Sequence, residues 1–160
     1  MPLPLMMETD AFSDGGIVPP RFGCFGENVQ PGFKFKNVPE QAASLALILH
    51  DLDVALDGSI EDGLHWTVWN IPPDDDVPEG GLPQGAVLGR NVENRNAYLG
   101  PGAPPGSRYH HYVFELFALD TVLPTEGTDD AFATRAKVFE AMQGHVLGKA
   151  IYVGLFRRPA

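Results

Sequence analysis

The stretch Gly100-Pro101-Gly102-Ala103-Pro104-Pro105-Gly106-Ser107-Arg108-Tyr109-His110-His111-Tyr112-Val113-Phe114 decides how this chain folds. Its first seven residues hold three glycines and three prolines. Neither a helix nor a paired strand accommodates that density, so they form a stiff loop. Tyr112 to Leu119 then runs apolar and aromatic, as a strand does, and Asp120 closes it. Two histidines and a tyrosine thus sit where a rigid loop enters a strand. An earlier pair of segments repeats the arrangement. Leu47-Ile48-Leu49-His50-Asp51-Leu52-Asp53 is an apolar run with an acidic end. Leu64-His65-Trp66-Thr67-Val68-Trp69-Asn70-Ile71 is rich in β-branched and aromatic residues, and Pro72-Pro73 stops it.

Outward from these segments, more short strands follow. Leu45 to Leu49 is continuously apolar, which suits a strand buried on both faces. Phe33-Lys34-Phe35-Lys36 alternates apolar and basic, the pattern of a half-exposed strand. Ala150 to Phe156 reads as a last strand, followed by Arg157-Arg158. Asp74-Asp75-Asp76 and Glu79-Gly80-Gly81 read as a solvated acidic loop. One helix is expected near the end. Thr128 or Asp129 would cap it, Phe132, Ala136, Phe139 and Met142 would form its apolar stripe, and Gly144 would stop it. Many short strands and one late helix make a mainly β chain, a β-sandwich with peripheral helix, in a single domain spanning residues 1–160. At this length roughly 70% of the unfolded surface can be buried, enough for one sizeable core.

The formal net charge is −10. Such a field repels a phosphate backbone and an anionic bilayer, so no nucleic-acid partner is expected and an anionic ligand must be held by a local pocket. Cys24 is the sole cysteine, which rules out an intramolecular disulfide and fits a reducing, cytoplasmic setting. The apolar start Met1-Pro2-Leu3-Pro4-Leu5-Met6-Met7 is short and meets Glu8 and Asp10 early, unlike a secretory signal. No apolar run approaches the roughly 20 residues of a membrane span.

Residues two apart on a strand share a face. His110 and Tyr112 therefore point one way and His111 the other, and Asp51 and Asp53 are matched likewise. If the strand ends carrying Asp51, His65 and His110 converge, they bring together a carboxylate, two imidazoles and a phenol. Imidazolium and tyrosine hydroxyl donate hydrogen bonds, and glycine backbone can approach an anion closely. Asp51 would orient a histidine or raise its pKa. The plain alternative is a set of satisfied polar groups at strand ends. A metal site of His65, His110 and Asp51 is conceivable on donor type, yet no spacing demands it, so neither metal nor cofactor is expected. His50 faces away from Asp51 and reads as structural, and His145, after the helix stop, would ease the helix dipole. Cys24 has no neighbouring histidine and reads as a buried inert thiol, Ser107 as a turn residue. A nucleophile elbow, a phosphate-binding loop and a dinucleotide fingerprint are all absent from the sequence.

These segments resemble, in order and along nearly the whole chain, the phosphatidylethanolamine-binding protein family in its bacterial Raf-kinase-inhibitor-like branch. Gly26-Glu27-Asn28-Val29-Gln30-Pro31 is similar to the family's Gly-x-Asn-x-Ser-Pro, with Gln30 for serine. Asn37-Val38-Pro39 and Ser44-Leu45-Ala46-Leu47 lead into Asp51-Leu52-Asp53-Val54-Ala55, where the family has Asp-Pro-Asp-Ala-Pro. His65-Trp66 through Asn70-Ile71-Pro72 resembles the central His-Trp strand. Tyr98 through Tyr112 resembles Gly-Pro-x-Pro-Pro-x-Gly-x-x-x-His-x-Tyr, and Ala141 to Leu147 the closing helix with its Gly-His. The resemblance implies a Greek-key antiparallel β-sandwich with one or two peripheral helices. It also implies an anion pocket lined by Asp51, His65, His110 and Tyr112 with Gly100 and Gly102 at the rim. Leu52, Ala55 and Ala103 stand where the family has prolines, which bears on the rim's shape. A cis bond before Ala55 would cost about 2.5–4 kcal/mol, so trans is expected there.

The expected function is binding of a small phosphate- or carboxylate-bearing ligand, with modulation of a partner protein in view and a homodimer left open. The alternative is a cofactor-free enzyme of secondary metabolism acting on a small carboxylated substrate, with His65 or His110 as acid or base tuned by Asp51.

Overall fold

The computed structural model describes residues 3–106 and 108–159. Ser107 and the first two residues of the apolar start lie outside the described residues. The strands are β1 (Met6–Glu8), β2 (Gly16–Ile17), β3 (Lys34–Lys36), β4 (Ser44–Asp51), β5 (Gly63–Ile71), β6 (Val87–Leu88), β7 (His110–Leu119) and β8 (Val146–Phe156), with helix α1 (Ala131–Met142) between the last two. A six-stranded sheet runs in the order β2-β8-β7-β4-β5-β6, and β1 pairs with β3 in a second small sheet. The mainly β class expected from the sequence is the one that forms. The large sheet is mixed, because the short edge strand β2 runs parallel to β8 while the other pairs are antiparallel. The sequence contains no signal for β1, β2 or β6, each only two or three residues long, too short to show a period.

β4 is central and buried on both faces, as its unbroken apolar run requires. Leu45, Leu47 and Leu49 meet Val68, Tyr112, Phe114 and Leu116 and the aromatics Phe12 and Phe33 on one side. Ala46 and Ile48 meet Leu64, Trp69, Phe117 and the helix residues Val138 and Met142 on the other.

Helix α1 forms where expected, with two corrections. Its cap is Asp130, whose carboxylate accepts from the Ala133 N–H at 2.8 Å, while Thr128 folds into the turn before it. Its buried face is Ala131, Thr134, Val138 and Met142, and Phe139 and Ala136 are exposed. The helix is turned because Thr134 can be buried once its hydroxyl bonds Thr128, and because Arg135 reaches across to Asp62. Phe139 instead stacks edge-on against Phe117 at the periphery, 5.9 Å between rings. Gly144, at φ +82°, takes the left-handed conformation that ends the helix as expected. The acidic loop at Asp74-Asp75-Asp76 is exposed. Among the described residues no helix is long and apolar enough to cross a membrane.

Candidate functional site

Three strands supply the site at one end of the large sheet. Asp51 ends β4, opposite Tyr112 of β7 on one side and Gly63 of β5 on the other. The glycine matters: a Cβ there would lie 3.1 Å from the Asp51 Cβ and 3.5 Å from the His65 Nε2. The strand keeps that space open for the imidazole.

His65 reaches the space through a β-bulge. His50 pairs with Leu64 and Leu49 with Trp66, so His65 is the extra residue with no partner on β4. In strict alternation His65 and Trp66 would face opposite sides. The bulge turns the His65 ring onto the Tyr112 ring, 5.4 Å away and edge-on, although Trp66 also packs into that face's core.

Asp51, only 2% exposed, is saturated with donors. Its Oδ2 accepts from His110 Nδ1 at 2.7 Å and its Oδ1 from the Asp53 N–H at 2.9 Å. The Tyr112 hydroxyl accepts from the N–H groups of Gly102 and Ala103, at 3.2 and 3.0 Å. Burial first and the nearby Asp51 carboxylate second push the phenol's pKa well up. His65 Nδ1 lies 2.7 Å from the Leu99 carbonyl, which can only accept, so this nitrogen carries the proton. Burial holds the His65 pKa below its ordinary value, outweighing the carbonyl bonds and the pull of Asp51. His65 is therefore neutral, with Nε2 as an acceptor.

The structure thus brings Asp51, His65, His110 and Tyr112 together but changes what each offers. Asp51 holds the His110 ring, and the Tyr112 hydroxyl is held by the 102–103 backbone. The Gly100 N–H, expected at the rim as a donor, goes to Asn28 Oδ1 at 2.7 Å, and the Gly102 N–H goes to Tyr112. Gly100 is pressed so closely on the Phe22 carbonyl that a Cβ would sit 2.1 Å from it. Among the described residues the Nε2 nitrogens of His65 and His110 have no hydrogen-bond partner, and the His110 ring is partly exposed, its side chain 17% accessible. Grooves of ≈ 740 and ≈ 640 Å³ lie around β1, away from this cluster.

Asp53 does not share the site with Asp51. Its carboxylate takes the His111 N–H at 2.7 Å, His111 Nδ1 at 2.8 Å and Arg108 at 2.8 Å, which fastens the 52–55 turn to the entrance of β7. Burial would raise its pKa, and His111 and Arg108 together lower it. Asn28, Gly63 and the Leu99 carbonyl are the participants that residue type did not announce. Only the doubled pattern Asp51-x-Asp53 with His110-His111 carried a signal, two acids for two imidazoles. His50 faces the other side, as alternation requires, and His145 pairs with Asp120 at 2.7 Å at the far end of β7. Cys24 is half-buried, with its thiol pKa raised by burial, and it packs behind Gly102.

Comparison with known proteins agrees with this architecture. The model of the phosphatidylethanolamine-binding protein family matches residues 8–157. A protein of Methanothermobacter thermautotrophicus described as UPF0098 is 44% identical over 158 residues, 95% of this chain and 98% of that one. A Chlamydia trachomatis structure, described as a putative phosphatidylethanolamine-binding protein homologue, superposes with TM-score 0.85 at 31% identity, covering 98% of this chain and 99% of that one. The structure of E. coli YbcL, described as a new member of the mammalian family, gives 0.84 at 27% identity, covering 98% and 100%. A family match along almost the whole length, and folds that coincide from end to end, leave one assignment: the chain belongs to the phosphatidylethanolamine-binding protein family.

Proposed function

We propose that the chain binds a small phosphate- or carboxylate-bearing ligand at the mouth formed by His110 and His65. The observation that carries this is the Asp51–His110 pair. A carboxylate buried behind the ring accepts from Nδ1–H and leaves Nε2 outward, where an imidazolium Nε2–H would donate to an anion. Neutral His65 adds an acceptor. A monoprotonated phosphate presents both an acceptor for the first and a donor for the second. Asp51 and Tyr112 act by positioning, with the Gly102–Ala103 backbone holding the phenol in place. This family's match and the net charge of −10 favour a small ligand over nucleic acid. A cytoplasmic setting, where Cys24 stays reduced, and modulation of a partner protein accord with this reading.

Calorimetry with inorganic phosphate, acetate and phosphorylethanolamine tests it. Affinity should rise as pH falls from 8 to 5. Absence of heat for all three across that range would sink the reading.

The same pair favours a second reading, a cofactor-free enzyme acting on a small carboxylated substrate. An imidazole backed by a buried carboxylate is arranged as a general base. Turnover of such a substrate that survived both His110→Ala and Asp51→Asn would remove this reading.

A further inference from the structure

A groove of ≈ 340 Å³ lies one strand over from His110, at the C-terminal end of β8. Ile17, Val18, Pro20 and Phe156 give it apolar walls, and Tyr109, Arg157 and Arg158 give it polar ones. Val18 and Phe156 are buried, so the wall is fixed by the core. The two arginines are held in a particular way. The Arg157 guanidinium lies over the Tyr109 ring, 4.4 Å from its centre, with Nη1 donating to the Gly106 carbonyl. The Arg158 guanidinium lies over the Phe25 ring at 4.5 Å, with Nε toward the Ala103 carbonyl. A guanidinium stacked on an aromatic face keeps its in-plane N–H fork available, already oriented for a carboxylate or phosphate. Neither arginine is paired with a carboxylate among the described residues, in a chain with 21 acidic side chains. Leaving two adjacent, pre-oriented cations beside an apolar cleft of ligand size is hard to explain as packing alone.

We propose that this groove is a second binding site, for a small organic anion whose carboxylate or phosphate meets Arg157 and Arg158 and whose apolar body lies against Ile17, Val18 and Phe156. It is separate from the His110 site, and the 101–106 loop stands between them. Ala103 shows this: its N–H holds Tyr112, and its carbonyl accepts from the Arg158 N–H at 2.9 Å.

The test is titration of the full chain with phenyl phosphate and, separately, benzoate, followed by amide chemical shifts, with benzyl alcohol as the neutral control. The amides of Ile17, Val18, Gly106 and Tyr109 should shift with one or both anions, the tighter binder identifying the head group, and should not shift with benzyl alcohol. The apparent affinity read at those amides should fall at least about tenfold in the Arg157→Gln/Arg158→Gln double variant, as loss of charge-assisted hydrogen bonds requires. Ile17→Glu should do the same, and Ile17 is 51% exposed, so that variant keeps the fold. His110→Ala should leave these shifts in place. Groove amides that respond to neither anion, that respond equally in the arginine variant, or that fall silent in His110→Ala would each overturn the proposal. The last result would not touch the His110 site itself.

Discussion

His50 and Asp51 are neighbours on β4 that face opposite sides of the sheet, and each belongs to a histidine–carboxylate pair of nearly the same length, 2.8 and 2.7 Å. On the helix side, His50 Nδ1 meets Asp62 and Nε2 lies 3.6 Å from Glu115. Arg135 of α1 bonds Asp62 and Lys149 of β8 bonds Glu115, so the chain of charges spans the helix and three strands. Burial alone would lower the His50 pKa, but the hydrogen bonds and attraction of the two carboxylates raise it to about 9. On the other side, one carboxylate accepts from His110 and from the Asp53 N–H, and the second His110 nitrogen has no partner among the described residues. The lesson is that distance does not separate a structural pair from a candidate functional one. The occupancy of the second ring nitrogen does.

The largest effect should come from removing the shared carboxylate. Asp51→Ala leaves the buried His110 N–H and the Asp53 N–H without their acceptor, and should cost about 3 kcal/mol in urea unfolding. Asp62→Ala should cost less, because Asp62 and its partners are 13–17% exposed and water can replace the carboxylate. An Asp62 loss equal to or above the Asp51 loss would contradict the hierarchy.

His50 and His65, on opposite faces, should also respond to pH with opposite signs. The folded chain holds the His50 proton more tightly than the unfolded chain does, so this contribution is complete below the ordinary value of 6.5 and is lost as pH rises through about 9. Asp62, despite burial, and Glu115, through its bond to His50, are held below their ordinary values of 3.8 and 4.5. Their contribution is present above those values and lost as pH falls further. His65 works the other way. Burial lowers its pKa, so the unfolded chain binds that proton more tightly and stability declines as pH falls below 6.5. The stability gap between the natural chain and His50→Gln should be about 2 kcal/mol at pH 6 and close toward pH 10. A gap independent of pH would mean that His50 is not charged.

Binding sharpens the same contrast at smaller scale. With inorganic phosphate at pH 5.5, His110→Ala should weaken binding about tenfold, roughly 1.4 kcal/mol, while His50→Gln leaves it unchanged. Equal losses in both variants would place the anion somewhere other than the His110 mouth.

Much of this was legible in the residues. The apolar run of β4, the aromatic β5 and the loop entering β7 forecast three central strands, and period two placed Tyr112 with His110 and His50 against Asp51. What escaped was set by features without a residue-type signature. A bulge moves His65 to its face, and no alternation rule reveals an added residue. The hydrogen bonds of Tyr112 and Gly100 depend on backbone groups of Ala103 and side chains as distant as Asn28. The helix stripe differs from the apolar spacing because Thr134, whose hydroxyl is satisfied locally, can be buried, while Phe139 lies at the periphery.

The smallest predicted effect concerns the 52–55 turn, where Leu52 and Ala55 stand in place of family prolines. No peptide bond among the described residues is cis, so Val54–Ala55 is trans as its residues require. The turn is fastened instead by the Asp53 carboxylate on His111 and Arg108. Ala55 has φ −107°, some 40° from the value near −65° that proline imposes. Ala55→Pro therefore trades that strain against a less flexible unfolded chain, and should change stability by no more than about 0.5 kcal/mol. Asp53→Asn should cost about 0.5–1 kcal/mol, since His111 and Arg108 are largely exposed. It should also speed hydrogen exchange at the His111 amide, which Ala55→Pro should leave unchanged. If Ala55→Pro stabilised the chain by well over 1 kcal/mol while Asp53→Asn left that amide protected, the turn would depend on backbone stiffness and the carboxylate clamp would be incidental.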